Sequence, residues 1–153
     1  MSPRTFYRSL ATAEAITWTL LIAGMVAKYG FTAGPLPVAV AGTIHGIVFV
    51  AYILCAVMVG TNQHWSKWKI ATAMATAFLP YATIPFDRHL ERHGRLDGGW
   101  RTAATADPRD HTLRSKALRV LLNRPVLLVP GFAVVVAAIV TALLVVGPPG
   151  GRS

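Results

Sequence analysis

The sequence predicts an all-α membrane protein: a compact bundle of about four transmembrane helices, with a three-helix unit joined by a basic connection to a fourth, C-terminal helix. Three observations carry this. Hydrophobic residues make up 54% of the 153-residue chain and charged residues only 14%, against about 45–50% and about 25% in soluble domains. The charges are also segregated, with five of the six Asp/Glu between Asp87 and Asp110 and nine of the fifteen Lys/Arg between Arg88 and Arg124. Finally, four apolar runs approach the roughly 20 residues that a helix needs to cross about 30 Å of hydrocarbon. A backbone in lipid must satisfy its own hydrogen bonds, and these runs do not alternate, so they are helices rather than barrel strands.

The first run, Leu10 to Ala27, extends back to Phe6 and is broken only by Glu14 and a few threonines. It is longer than the apolar region of a secretory signal, and no small-residue cleavage site stands out after it. Lys28 and Tyr29 end it with a snorkelling cation and an interfacial aromatic. Gly30, Gly34, Pro35 and Pro37 make a short turn into the second run, Val38 to Gly60, interrupted only by Thr43 and His45. Trp65 and Trp68, with Lys67 and Lys69, predict an interfacial belt before the third run. That run, Ile70 to Phe86, is the shortest and holds Pro80 and Pro85, which remove backbone donors and predict a kink and an early end.

Residues 1–90 are therefore expected to form one transmembrane unit, residues 91–124 a polar connection, and residues 125–153 a fourth helix with a short tail. Within the connection, Gly94 to Asp110 is rich in Gly, Thr, Arg and Asp and reads as irregular and mobile. From His111 to Asn123, Leu113, Ala117, Val120 and Leu121 share one side, which reads either as a basic amphipathic helix lying on the membrane surface or as a solvated linker with incidental leucines. Arg114, Lys116 and Arg119 would contact lipid headgroups. The last run, Val126 to Val146, has no ionisable residue; Asn123 and Pro125 suit its start, and Gly147-Pro148-Pro149-Gly150 its end.

The net charge of +9 points to the bilayer and its anionic headgroups as partners; no nucleic-acid-binding motif accompanies it. With four spans, both termini share one side. Lys/Arg counting then favours a multi-pass plasma-membrane protein with residues 87–124 cytoplasmic and both termini exterior.

Glu14 and His45 are the ionisable residues inside the spans. Placing a charge there costs about 2.5–3.5 kcal/mol on insertion scales, so such residues face the bundle interior. They are read as a polar pair for proton handling or ligand binding, as neutral groups bonded to neighbouring helices, or, for Glu14, as a side chain close enough to the interface to snorkel. If the helices start at Phe6 and Pro37, the two α-carbons differ in depth by on the order of 9 Å. Gly42 and Gly46, four apart on one face, and Ala71 with Ala75, overlapped by Ala73 with Ala77, predict close helix packing. No catalytic set is present: there is no GxSxG and no phosphate-cradling loop. His89 and His93 at i, i+4 are weak metal candidates, and Cys55 is solitary. No metal, cofactor or enzymatic activity is expected.

The stretch from Phe6 to about Leu90 resembles the bacterial integral-membrane family called domain of unknown function 3817. Glu14, Lys28-Tyr29, His45-Gly46 followed by Phe49 and Tyr52, Trp65-Ser66, and Pro85-Phe86-Asp87 carry the resemblance. It implies a compact three-helix unit with Glu14, Lys28, His45 and Gly46 as its functional or packing core; Ala15 departs from the glycine that usually follows the glutamate. The resemblance implies no biochemical activity. The expected role is a structural, accessory or partner-binding subunit, in a homo-oligomer or a larger membrane complex. The alternative is a small proton-coupled transporter or channel using Glu14 and His45.

Overall fold

A computed structural model of the protein describes residues 1–146, and among these all regular structure is helical. The elements are α1 (Pro3–Gly30), α2 (Leu36–Asn62), α3 (Lys67–Thr76), α4 (Thr83–Arg92), α5 (Leu113–Leu122) and α6 (Pro125–Val146), with a 3₁₀ turn at Pro108–His111. Their starts follow from side-chain capping. Ser2, Ser66 and Thr112 accept from the backbone N–H groups of Thr5, Lys69 and Ser115, filling donors that a first turn leaves open. Three helices, α1, α2 and α6, are long and apolar enough to cross a membrane. The Gly147–Gly150 stop lies outside the described residues.

α1 and α2 form an antiparallel pair. Its register is fixed at three levels: Gly24 against Pro37 and Val38, Thr17 against His45, and Tyr7 against Tyr52. A Cβ at Gly24 would stand 3.0 Å from the Pro37 carbonyl oxygen and 3.1 Å from the Val38 α-carbon. Only glycine fits there, because the obstacles are backbone. α1 consequently overshoots the start of α2 by about 7 Å at 1.5 Å per residue.

The third apolar run does not cross, and this corrects the four-span expectation. α3 climbs along α2 to mid-depth, where Phe78 meets Phe49 with ring centroids 5.0 Å apart and Trp18 donates to the Ala77 carbonyl at 3.3 Å. The chain then turns through Pro80 and Tyr81, the latter at φ 63°, and α4 descends along α1. Thr83 donates to the Ala11 carbonyl at 2.9 Å, Arg8 pairs with Asp87 at 3.0 Å, and Arg4 and Arg8 both pair with Glu91. Residues 67–92 are thus a helical hairpin that enters and leaves at one end.

The long connection consequently lies at the same end as the amino terminus, not opposite it. Trp100 donates to the Met1 carbonyl at 2.8 Å, and Trp65 to the Arg95 carbonyl at 2.9 Å. Asn62 binds both the Arg101 N–H and its carbonyl, while Leu96 is buried. The stretch is irregular, as its composition implies, but it is pinned at these points. Trp65, expected at the interface, is instead in the core against Tyr7, whereas Trp68 is 84% exposed. Every Lys and Arg among the described residues except Lys28 sits at this end, in the first turns of α1 and α3 or in residues 88–124.

α5 follows and turns Leu113, Ala117, Val120 and Leu121 outward with Arg114 and Lys116, as its pattern suggests. Arg119 instead faces the protein and donates to the Asp110 carbonyl. α6 rises from the basic end and touches the bundle mainly through Phe132, Val136 and Val140. Close approach at Gly42 and Gly46 is not what the helices show. A Cβ at Gly46 would meet nothing within 4 Å and one at Gly42 only Leu21 at 3.8 Å. The tight contacts are at Gly24 and at Gly60, where a Cβ would sit 2.6 Å from Ile70. On α3 it is Ala73 and Ala77 that are buried, while Ala71 and Ala75 face outward.

Candidate functional site

The overshoot of α1 shifts the level of Glu14 to within about half a turn of His45. Glu14 is fully buried, and its Oε2 lies 3.9 Å from His45 Nδ1. Neither carboxyl oxygen of Glu14 has a hydrogen-bond partner among the described residues. Between them stands Thr17, whose hydroxyl donates to the Glu14 carbonyl at 3.0 Å and lies 3.1 Å from His45 Nδ1. Because the Thr17 proton is already committed, Nδ1 is the donor in that contact, which assigns the tautomer with its proton toward Thr17 and Glu14. Trp18, with its ring centroid 4.5 Å from that of His45, and Phe49 at 6.1 Å form the walls.

The hairpin tip closes the site from one side. The Ala11 carbonyl that receives Thr83 faces the turn carrying Glu14 and Ala15, so the α4 N-terminus meets α1 at the level of the glutamate. A row of hydroxyls then leads toward the basic end. Thr76 donates to the Ala73 carbonyl at 2.6 Å, so Tyr52 donates to Thr76 at 3.0 Å and Tyr7 to Tyr52 at 2.7 Å. Each group has one proton to give, which fixes the direction of the row. Asp87 lies beyond, held by Arg8, with its Oδ1 buried and without a hydrogen-bond partner among the described residues. Lys28 is remote, its ammonium 4.8 Å over the Tyr29 ring at the opposite end.

A second polar cluster lies outside the spans. His64, at φ 53°, ends α2 and sets its Nε2 3.0 Å from Asp110 Oδ1. Hydrogen bonds from the Thr105 hydroxyl and N–H, joined by His64, pull the Asp110 carboxyl down to about 2. Hydrogen bonds from the Arg109 side chain and N–H likewise hold Asp107 below the ordinary carboxylate range. Cys55 is buried in the core, and the His93 ring lies tilted against that of His89, centroids 4.2 Å apart, with Nδ1 2.8 Å from the His89 carbonyl.

Glu14 and His45 were legible in sequence as isolated ionisable residues in apolar runs. The Tyr7–Tyr52–Thr76 row was not, because tyrosine and threonine are ordinary in membrane helices. Nor were Arg8 and Asp87, whose separation of 79 residues hides the pair.

A family model described as domain of unknown function DUF3817 matches residues 4–92, more than half of the chain. A Streptomyces coelicolor protein, SCO5905, described as a candidate membrane protein, is 36% identical over 100 residues, or 65% of this chain. The match covers 11% of that protein, so this chain spans about a tenth of the length of that relative. The uncharacterized membrane protein YdzA of Bacillus subtilis is 33% identical over 75 residues, 48% of this chain and 76% of YdzA. No solved structure matches the chain.

Proposed function

We propose that this chain, which belongs to the DUF3817 family, is an accessory membrane subunit whose helical hairpin docks on a partner within the bilayer. The observation that carries this is the hairpin tip. Phe78 and Leu79 are 64% and 61% exposed at mid-depth, beside a non-helical turn that carries Tyr81 at φ 63°. Non-helical backbone at this depth is tolerated only where protein or a water-filled cavity covers it. A neighbouring membrane helix supplies such cover. Stretches of this chain also match about a tenth of a much longer chain in Streptomyces and most of a short one in Bacillus, as expected of a module that works beside other membrane segments. The role is not enzymatic. Its basic end faces the cytoplasm of a plasma-membrane protein, with Arg114 and Lys116 toward anionic headgroups.

A photoreactive phenylalanine analogue placed at Phe78 in native membranes tests this. Irradiation should join the chain to a second polypeptide, either another copy or a different protein. Adducts with lipid alone would dismiss the docking role. The second reading, a proton-coupled transporter or channel, is favoured by the unpartnered Glu14 carboxyl beside His45. For that reading, pH-gradient-driven flux in proteoliposomes should vanish in Glu14→Gln and His45→Ala. Absence of flux in the unmodified protein would remove it.

A further inference from the structure

A buried carboxyl stands on either side of the Tyr7–Tyr52 pair. Glu14 lies inside the span, and Asp87 lies at the basic end. Helix direction brings Glu14 and Tyr52 together. α1 leaves the basic end and α2 arrives there, and side chains tilt toward the N-terminus of their own helix. The Glu14 carboxyl therefore leans toward the basic end and the Tyr52 ring away from it, so the two converge. Negative charge on Glu14 is felt at the Tyr52 hydroxyl, and negative charge on Asp87 at that of Tyr7. The two tyrosine hydroxyls, both fully buried, are 2.7 Å apart. Asp87 reaches the water beyond: its Oδ2 accepts from the partly exposed Arg8, while Oδ1 is buried.

The other side of Glu14 is built differently. Among the described residues, no polar side chain is buried between His45 and the end that carries Lys28. The α1–α2 seam there passes buried Ala41 and closes at Gly24 to contact with the Pro37–Val38 backbone. A proton at Glu14 thus meets hydroxyls on the basic side and an apolar seam on the other. The titratable groups around the carboxyl are few. α2 brings His45 and Tyr52, with Cys55 beside the latter, α1 brings Tyr7, and α4 brings Asp87. Tyr81, in the turn before α4, is bonded to exposed Thr19. α3 supplies the Thr76 hydroxyl, its lysines lying in its first turn, and α6 has no ionisable residue.

We propose that Glu14 exchanges its proton with the water of the basic end through Asp87, Tyr7 and Tyr52. This deepens the transport reading above and rests on it only in taking Glu14 as the group that titrates. The proton of Asp87 passes to the Tyr7 oxygen, that of Tyr7 to Tyr52, and that of Tyr52 to the Glu14 carboxylate. Each tyrosine keeps one proton, and one proton has moved from Asp87 to Glu14. Carboxyl rotation or one water joins each acid to the tyrosine it faces. At rest Thr76 accepts the Tyr52 proton, and turning that hydroxyl toward Glu14 opens the last step.

The test uses the full chain in vesicles with its basic end outward, followed by infrared difference spectroscopy. Protonated Glu14 is identified as the carbonyl band that Glu14→Gln removes. After a fast change of outer pH, this band should follow the outer solution. Tyr7→Phe and Tyr52→Phe keep the rings and should slow the response about a hundredfold, the low end for a positioned proton-transfer group, whereas Tyr29→Phe at the opposite end should alter it less than about twofold. The pH at which the band is half-formed should be the same in these variants. A shift of that pH without slowing would mark a structural role and overturn the route. So would a band absent or unchanging at every pH, or one that follows the inner solution. If the phenylalanine variants fail to fold, the side to which the unmodified protein responds decides. Flux is measured on the same vesicles. A band that follows the outer pH without flux removes the transport reading and leaves the route; flux with a response indifferent to both tyrosines removes the route and leaves the reading.

Discussion

The third and fourth apolar runs begin alike and end differently. Both leave the basic end, one after Lys67 and Lys69 and the other after Arg124, and both contain proline. Yet residues 70–86 break at mid-depth and return, whereas α6 continues through Pro130 for 22 residues. Proline is part of the reason. Pro130 lies near the start of its helix, while Pro80 and Pro85 bracket Tyr81 in the left-handed region. The flanking charge supplies the rest. Asp87 and Glu91 come directly after the third run, and their partners Arg4 and Arg8 stand at the end where that run began. Carrying both carboxylates across the bilayer would cost the pairs as well as the transfer. A run of apolar residues thus has a direction set by where its flanking charges are met, not only by its hydropathy.

The most decisive break of this comparison is all-or-none. Single cysteines at Thr32, Ser66 and His93, probed with a membrane-impermeant maleimide on intact cells, should divide with Ser66 and His93 together and Thr32 apart. Buried Cys55 should stay silent. If His93 labels with Thr32, the third run spans and the two runs are alike after all.

Next in size is the frame on which the hairpin folds. Gly24→Leu drives a side chain into the Pro37–Val38 backbone and should cost about 3 kcal/mol of stability, at the upper end of overpacking effects. Gly46→Leu, placed where nothing stands within 4 Å, should change unfolding in detergent by less than about 0.5 kcal/mol. Equal losses would return the packing role to the Gly42–Gly46 face. A somewhat smaller effect belongs to the return leg. Arg8→Gln strips the partner from the nearly buried Asp87 and should cost about 2 kcal/mol, much of it recovered in the double variant with Asp87→Asn. An Arg8→Gln cost that Asp87→Asn fails to relieve would show that α4 is not held by this pair.

These contrasts also show what the chain reveals before it folds. The three long helices and the amphipathic α5 were legible because apolar length and periodicity are local properties. Glu14 and His45 were legible for the same reason, as charges where charges are costly. The hairpin was hidden because hydropathy does not say which way a run leaves. Its traces were there in the 17-residue length, the two prolines and the acids at 87 and 91, but their partners lie some 80 residues away. The packing glycines were misjudged for a related reason. A four-residue spacing identifies a face, and only the placement of α1 at one end of α2 and of Ile70 at the other says that Gly24 and Gly60, not Gly42 and Gly46, are the close approaches.

The finest distinction concerns the connection, which reaches the same end as the hairpin by a different means. Residues 105–110 are fastened to the end of α2 through Asp110, whose carboxylate accepts from the Thr105 N–H at 2.9 Å and faces His64. Its folded value of about 2 lies below the ordinary one of about 3.9. The stabilisation is therefore complete above about pH 4 and fades as the pH falls through about 2. The Thr105 amide resonance should follow that titration with a midpoint near 2, and a midpoint near 4 would mean the carboxylate is not held. At neutral pH, Asp110→Asn should loosen amide protection across residues 105–110 while leaving that of α4 unchanged, since Arg4 and Arg8 hold the hairpin independently. If α4 loosened with it, hairpin and connection would be one cooperative unit, and the return of the third run would owe as much to the loop after it as to the arginines beside it.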